Sequence, residues 1–155
     1  MNVPSDRCPS QGGAGAVQVE RLPYRHVLTL PTTGAAVRLA RQTTEDVLVD
    51  CGVELGHPSV GPALLIVAEL VANAVRHAAA LSPTVTVTYA RGPGAFAFAV
   101  HDRHPHQPAP YAAVASAPGS GLATVAELTI ERGGTAVVRA DADGCGKSIW
   151  ITLPL

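Results

Sequence analysis

Glu69, Asn73 and His77 stand four residues apart in the run E-L-V-A-N-A-V-R-H, inside an otherwise apolar segment. At about 100° per residue, positions i, i+4 and i+8 drift slowly round a helix, so a carboxylate, an amide and an imidazole form one stripe. A buried core helix has no use for such a line, whereas a helix that faces a ligand does. The competing reading makes Glu69 and Asn73 solvated positions on an amphipathic surface helix. Arg76 lies beside the stripe and can reach an anion bound there.

Further along, Gly119-Ser120-Gly121 precedes Leu122 at the start of a helical pattern. Free backbone N–H groups and a positive dipole end suit phosphate oxygens, although an ordinary helix start has the same composition. His101, His104 and His106 invite a metal reading, but 104 and 106 share a strand-like parity that 101 lacks, Pro105 intervenes, and no cysteine or carboxylate pair is near in sequence. Gly146-Lys147-Ser148 imitates a P-loop and fails: Asp141 stands where the first glycine is needed, and the β pattern Ile149 to Thr152 follows instead of a helix. Lys147 then falls at the solvated end of a strand.

These residues need a scaffold, and 155 residues suffice for one domain with a proper core. Met1 to about Glu20 is rich in Gly, Ser, Pro and Gln without periodicity, which predicts a flexible leader before a domain over 21–155. The formal net charge is −1, and Lys147 is the sole lysine, so no basic surface announces nucleic acid. Glu69 and Asn73 interrupt the apolar run from Ala63 to Val75, and no signal-type segment opens the chain; the expectation is a cytoplasmic protein without a membrane partner. Cys8, Cys51 and Cys145 are widely spaced and odd in number, and read as reduced, structural thiols.

Tyr24 to Leu30 reads as a strand closed by Pro31, followed by a helix from about Gly34 to Val49 capped by Thr33 and ended by Cys51-Gly52. Val37, Ala40, Val47 and Leu48 face inward on it. The striped helix runs from near Ser59 to about Ala79, tolerating Pro62 in its first turn. Thr84 to Tyr89 and Ala95 to His101 alternate as a hairpin, with Phe96, Phe98 and Val100 on one face and alanines on the other. Arg103 to Pro118 is a long aperiodic loop of the kind that forms lids. A helix to about Glu131, ended by Gly133-Gly134, and a hairpin of Thr135 to Ala140 with Lys147 to Leu153 complete the order. The prediction is an α/β two-layer sandwich with a mixed, mainly antiparallel sheet and helices on one face.

The stripe, Asp102, the long loop and Gly119-x-Gly121 occur in the order N-box, G1, lid and G2, and so resemble the gyrase, Hsp90, histidine-kinase and MutL superfamily of ATP-binding domains. Within it the chain looks most like the stand-alone anti-sigma-factor serine/threonine kinases and their actinobacterial relatives. The similarity covers roughly Tyr24 to Leu153, and the closing G-K-S-I-W-I-T-L-P matches the last strand of that subgroup.

The resemblance implies a Bergerat-type fold binding ATP and Mg2+. Asn73 then supplies a carbonyl oxygen to Mg2+, and Glu69 acts as general base or water positioner. His77 lies near the phosphates and the lid, Asp102 accepts the adenine amino group, Gly119, Gly121 and Leu122 hold phosphates, and Ser148 is a second contact to the base. The standard D-x-G-x-G appears here as D-R-H-P-H, with His104 and His106 replacing glycines, which leaves nucleotide affinity open. The implied function is a kinase that phosphorylates an anti-anti-sigma protein and otherwise sequesters a sigma factor, in the family's habit as a homodimer. The alternative is a catalytically weak or inactive partner-switching module of the same fold. A histidine-kinase catalytic domain is disfavoured for want of a dimerisation helix pair bearing a phosphoacceptor.

Overall fold

A computed structural model describes residues 24–104 and 121–155. Its elements are β1 (Tyr24–Pro31), α1 (Ala35–Asp50), α2 (Val60–Ala78), β2 (Thr84–Gly92), β3 (Ala95–Asp102), α3 (Gly121–Glu131), β4 (Thr135–Ala140) and β5 (Lys147–Pro154). The strands form one sheet in the order β1-β2-β3-β5-β4. Every described pairing is antiparallel, so the parallel component of the anticipated mixed sheet is absent among these residues.

Alternation decides which face of the sheet is covered. Val85, Val87 and Tyr89 of β2, Phe96, Phe98 and Val100 of β3, and Ile151 and Leu153 of β5 join Ala40, Val47 and Leu48 of α1 and Ile66, Val67 and Leu70 of α2 in one core. Val125 of α3 belongs to the same core, which gives the two layers predicted from sequence. The alanines of β3 take the other face, where Ala99 stands opposite Trp150.

Both shorter helices end in the same way. Gly52 adopts φ 76° and Gly133 φ 68°, values that cost a side chain dearly. Around them Val53 N–H donates to Leu48 O and Gly52 N–H to Val49 O, and Gly134 N–H donates to Thr129 O and Gly133 N–H to Ile130 O, the paired bonds of a Schellman ending. The beginning of α1 differs from expectation: its N-cap is Gly34, without a side-chain cap, and Thr33 contributes its carbonyl to Ala36 N–H instead of its hydroxyl.

By length and composition α2 is apolar enough to cross a membrane, but Ala63, Ile66, Val67, Leu70, Val71 and Ala74 are buried in the domain's own core. Cys51 is a free, buried thiol, as anticipated. Cys145 is disulfide-bonded, against the expectation of reduced thiols throughout, because spacing in sequence says nothing about approach in space.

Candidate functional site

The buried positions of α2 recur at helical spacing and fix which side of it looks outward. With Val67, Leu70, Val71 and Ala74 turned to the core, Glu69 and Asn73 are left half-buried and Arg76 and His77 exposed in the last turn. Leu65 lies one turn before Glu69 on the same stripe and is 49% exposed, so the stripe has an apolar end that the polar pattern did not reveal.

Glu69 meets the start of α3. A Cβ on Gly121 would collide with Glu69 Oε2 and lie 3.2 Å from its Cδ and 3.8 Å from Arg76 Nη2. The close approach of a carboxylate to a helix N-terminus is electrostatically favourable, and only glycine permits it here. Asn73 is tied to the same group of residues: its Oδ1 accepts a hydrogen bond from Arg76 Nη2 at 2.7 Å. Glu69, Asn73, Arg76 and Gly121 therefore form one patch across α2 and α3. Leu122, the next residue, is half-buried and packs against the core, while Gly119 and most of the anticipated lid lie outside the described residues.

Asp102 ends β3 on the helix-facing side of the sheet, in line with Phe98 and Val100. It is 7% exposed, and Lys147, 9% exposed, stands directly opposite in the β3–β5 register. Lys147 Nζ donates to Asp102 Oδ1 at 3.0 Å and to Oδ2 at 3.3 Å, and His104 N–H donates to Oδ1 at 2.9 Å. Lys147 at a solvated strand end is thus overturned: it shares the parity of Ile149, Ile151 and Leu153, which points it inward. The same parity places Ser148 on the opposite face, between His101 and Arg139. A base held at Asp102 is therefore not within the natural reach of Ser148.

The turn between β4 and β5 is fastened beside this pair. Asp141 accepts from Arg103 Nη1 at 2.7 Å and its Oδ2 lies 2.9 Å from His101 Nε2, while Asp143 accepts from Arg103 Nη2 at 3.2 Å. The Cys145 N–H and then the Arg103 guanidinium hold the Asp143 carboxyl below its usual range, against the opposing effect of desolvation. Arg103 is held above its ordinary value chiefly by its hydrogen bond to Asp143. Ser82 joins the segment after α2 to the end of β3, accepting from Arg103 N–H at 2.9 Å. Among the described residues no group of His, Cys, Asp or Glu is arranged to hold a metal, and His106 lies outside them.

A family model for the histidine kinase-like ATPase domain matches residues 30–150. The chain belongs to that family. Solved structures agree at the level of the fold. The RsbU and RsbW domains of Rv1364c from Mycobacterium tuberculosis align with a TM-score of 0.63 and 22% identity, over 85% of this chain and 32% of that one. The histidine kinase domain of the Erythrobacter litoralis EL346 blue-light activated kinase aligns with a TM-score of 0.52 and 19% identity, over 81% and 66%. Full-length ShkA in complex with AMPPNP gives 0.52 and 23%, over 83% and 31%. This ATPase-family chain thus spans about a third of the first and third of these proteins and just under two thirds of the second. A comparison with curated proteins finds no match.

The donor set fits the family's ligands unevenly. Asn73 offers the hard amide oxygen that Mg2+ prefers, on the patch that also holds Glu69 and Gly121. Asp102, the carboxylate that the resemblance assigns to the base, is engaged by Lys147. That lysine is the residue sequence reasoning missed, and its parity with the apolar positions of β5 was the signal.

Proposed function

We propose that this domain is an ATP-binding regulator whose site lies between α2, the end of β3 and the start of α3, and that it acts in the cytoplasm as a serine/threonine protein kinase on an anti-anti-sigma partner, sequestering a sigma factor otherwise. The observation that carries this reading is the seat of Glu69 against Gly121, which puts a carboxylate of the stripe at the start of the helix that follows the G2 glycines. When bound, Mg-ATP supplies a transferable phosphoryl group whose oxygens the metal neutralises.

The chain's own groups then have distinct tasks. Asn73 Oδ1, once free of Arg76, would be the oxygen ligand for Mg2+, and Arg76 and His77 would face the anion from the end of α2. Gly121 and Leu122, with Gly119, present backbone N–H groups to phosphate oxygens. Glu69 accepts the proton of the partner's hydroxyl, a role that asks for a carboxylate fixed in position before the partner arrives.

The test is transfer of labelled phosphate from ATP to small anti-anti-sigma proteins, with Glu69→Ala beside the wild type. Loss of transfer with ATP binding retained supports the assignment; an unchanged rate removes Glu69 from it.

The Asp102–Lys147 pair favours a second reading, a partner-switching module that binds nucleotide weakly. In either reading homodimerisation uses α1 and the edge of β1 that is unpaired among the described residues, where Leu39, Val49 and Val27 are exposed. Sedimentation of the chain, with Val27→Lys as the disrupting variant, distinguishes dimer from monomer.

A further inference from the structure

Asp102 is the carboxylate on which the nucleotide reading places the base, and it already has a cationic partner inside the chain. Lys147 contacts both of its oxygens, at 3.0 and 3.3 Å, with side chains 11% and 10% exposed. The register opposes Asp102 to Lys147 directly, so the contact follows from the pairing of β3 with β5. An ammonium and an exocyclic amino group are both N–H donors that seek the same carboxylate oxygens, and the ammonium carries a full charge. The main-chain N–H of His104 occupies a further site on Oδ1. Two donors thus stand on this carboxylate before any ligand arrives.

We infer that Lys147 is a tethered occupant of the base-reading carboxylate: it holds Asp102 in the nucleotide-free chain and leaves it when an adenine amino group is accepted there. The inference rests on the nucleotide reading and adds how that site is regulated. The apparent dissociation constant is the intrinsic one divided by the fraction of chains in which Asp102 is free, so the strength of the internal pair sets how much ATP the site needs.

The surroundings decide which part moves. A Cβ on Gly146 would lie 2.5 Å from Asp141 Oδ2 and 2.6 Å from Asp102 O, so the turn is closed against the end of β3. Arg103 and His101 pin Asp141 in the same place. The strands stay paired, and exchange proceeds by rotation of the flexible lysine stem, which a rigid guanidinium fork would not permit as easily.

Lys147 is the only lysine in the chain, so amine acetylation reports on it alone apart from the α-amino group, which serves as the internal reference. The wild-type chain is acetylated with and without saturating Mg-ATP, and the modified peptides are quantified by mass spectrometry. The inference predicts that Mg-ATP raises the Lys147 rate at least about fivefold relative to the reference, because the amine is released from its buried partner. An unchanged or slower rate, in a chain whose melting temperature Mg-ATP does raise, overturns the exchange and leaves the nucleotide reading standing. No rise in melting temperature at any concentration removes the nucleotide reading, and the exchange with it.

Calorimetry of Lys147→Met gives a second readout. ATP binds it about tenfold more tightly than wild type, while inosine triphosphate, which lacks the amino group, gains nothing. Weaker ATP binding by the variant makes Lys147 a support for Asp102 and contradicts the inference. Should the variant fail to fold, the wild-type acetylation result alone decides.

Discussion

The carboxylate of Glu69 rests against the α-carbon of Gly121, so closely that a methyl group on the glycine would overlap Oε2 and come within 3.2 Å of Cδ. Two elements separated by the sheet's first hairpin and the long loop meet at this contact. It makes glycine at 121 a condition for where the general-base candidate sits.

Gly121→Ala tests that condition with a sign that separates the effects. Helix propensity alone favours alanine by up to about 1 kcal/mol. The clash opposes it, and overpacking of this kind costs about 1–3 kcal/mol. A lowered denaturation midpoint, with phosphate transfer falling more than ATP affinity, is the expected result; a raised midpoint with full activity means Glu69 is not held by this contact.

Arg76→Ala removes an exposed partner of Asn73, and exposed interactions of this sort contribute about 1 kcal/mol or less. Thermal stability should therefore change little. ATP affinity should fall in the presence of Mg2+, since the variant loses a cation facing the phosphates. Titrations with and without the metal measure it, and a large loss of stability contradicts the picture of a freely turning Arg76.

Tyr89 gives the fold a defined alkaline limit. Its ring is 0% exposed beneath α1, its hydroxyl lies 2.9 Å from Thr44 Oγ1 and donates to Ala40 O at 3.3 Å, and burial pushes its pKa up to about 12 although the Thr44 bond pulls the other way. An unfolded tyrosine ionises near pH 10, so the unfolded chain sheds this proton first. The contribution of Tyr89 to stability is constant below that value and is lost as pH rises from about 10 towards 12. Tyr89→Phe should cost about 1 kcal/mol at neutral pH and abolish its share of the alkaline loss, read from denaturant midpoints at several pH values.

Cys51 should resist alkylation. Burial pushes its thiol up, Arg91 pulls it down and Asp50 pushes it further up. The folded chain keeps this proton longer, so the contribution to stability is whole below the unfolded thiol's pKa and is lost as pH rises from there through the raised folded value. Since the thiolate is the nucleophile, iodoacetamide at pH 8 should modify native Cys51 at least about tenfold more slowly than the urea-unfolded chain. Equal rates contradict the buried placement.

Much of the fold was legible because local rules and tertiary structure agree. Phe96, Phe98 and Val100 alternate with alanines in sequence and face the core in space, and Gly52 and Gly133 stop their helices where a left-handed residue is required. The stripe on α2 was legible for the same reason, as its period is a property of the helix alone. Leu65 shows the limit: it lies on the stripe by geometry, yet an apolar residue in an apolar run carries no signal.

Contacts that depend on pairing between distant strands were not legible. Asp102 and Lys147 meet because two strands align in one register, and neither strand announces that register locally. Parity within β5 was nevertheless present in the sequence, and it would have turned Lys147 inward and Ser148 outward. Thr33 is not the cap for a different reason: its carbonyl accepts from Ala36 N–H, and the N-cap position falls on Gly34, before a helix that begins at Ala35. Gly119 and the anticipated lid lie in the segment 105–120, outside the described residues.

Mg-ATP binding at the α2 stripe is tested by thermal denaturation of the wild-type chain against rising Mg-ATP. A ligand that binds only the folded state stabilises it by about 2.7 kcal/mol at one hundred times its dissociation constant. The melting temperature should climb with concentration in the wild type and climb much less in Asn73→Ala. A wild-type melting temperature that does not move at millimolar Mg-ATP contradicts the account.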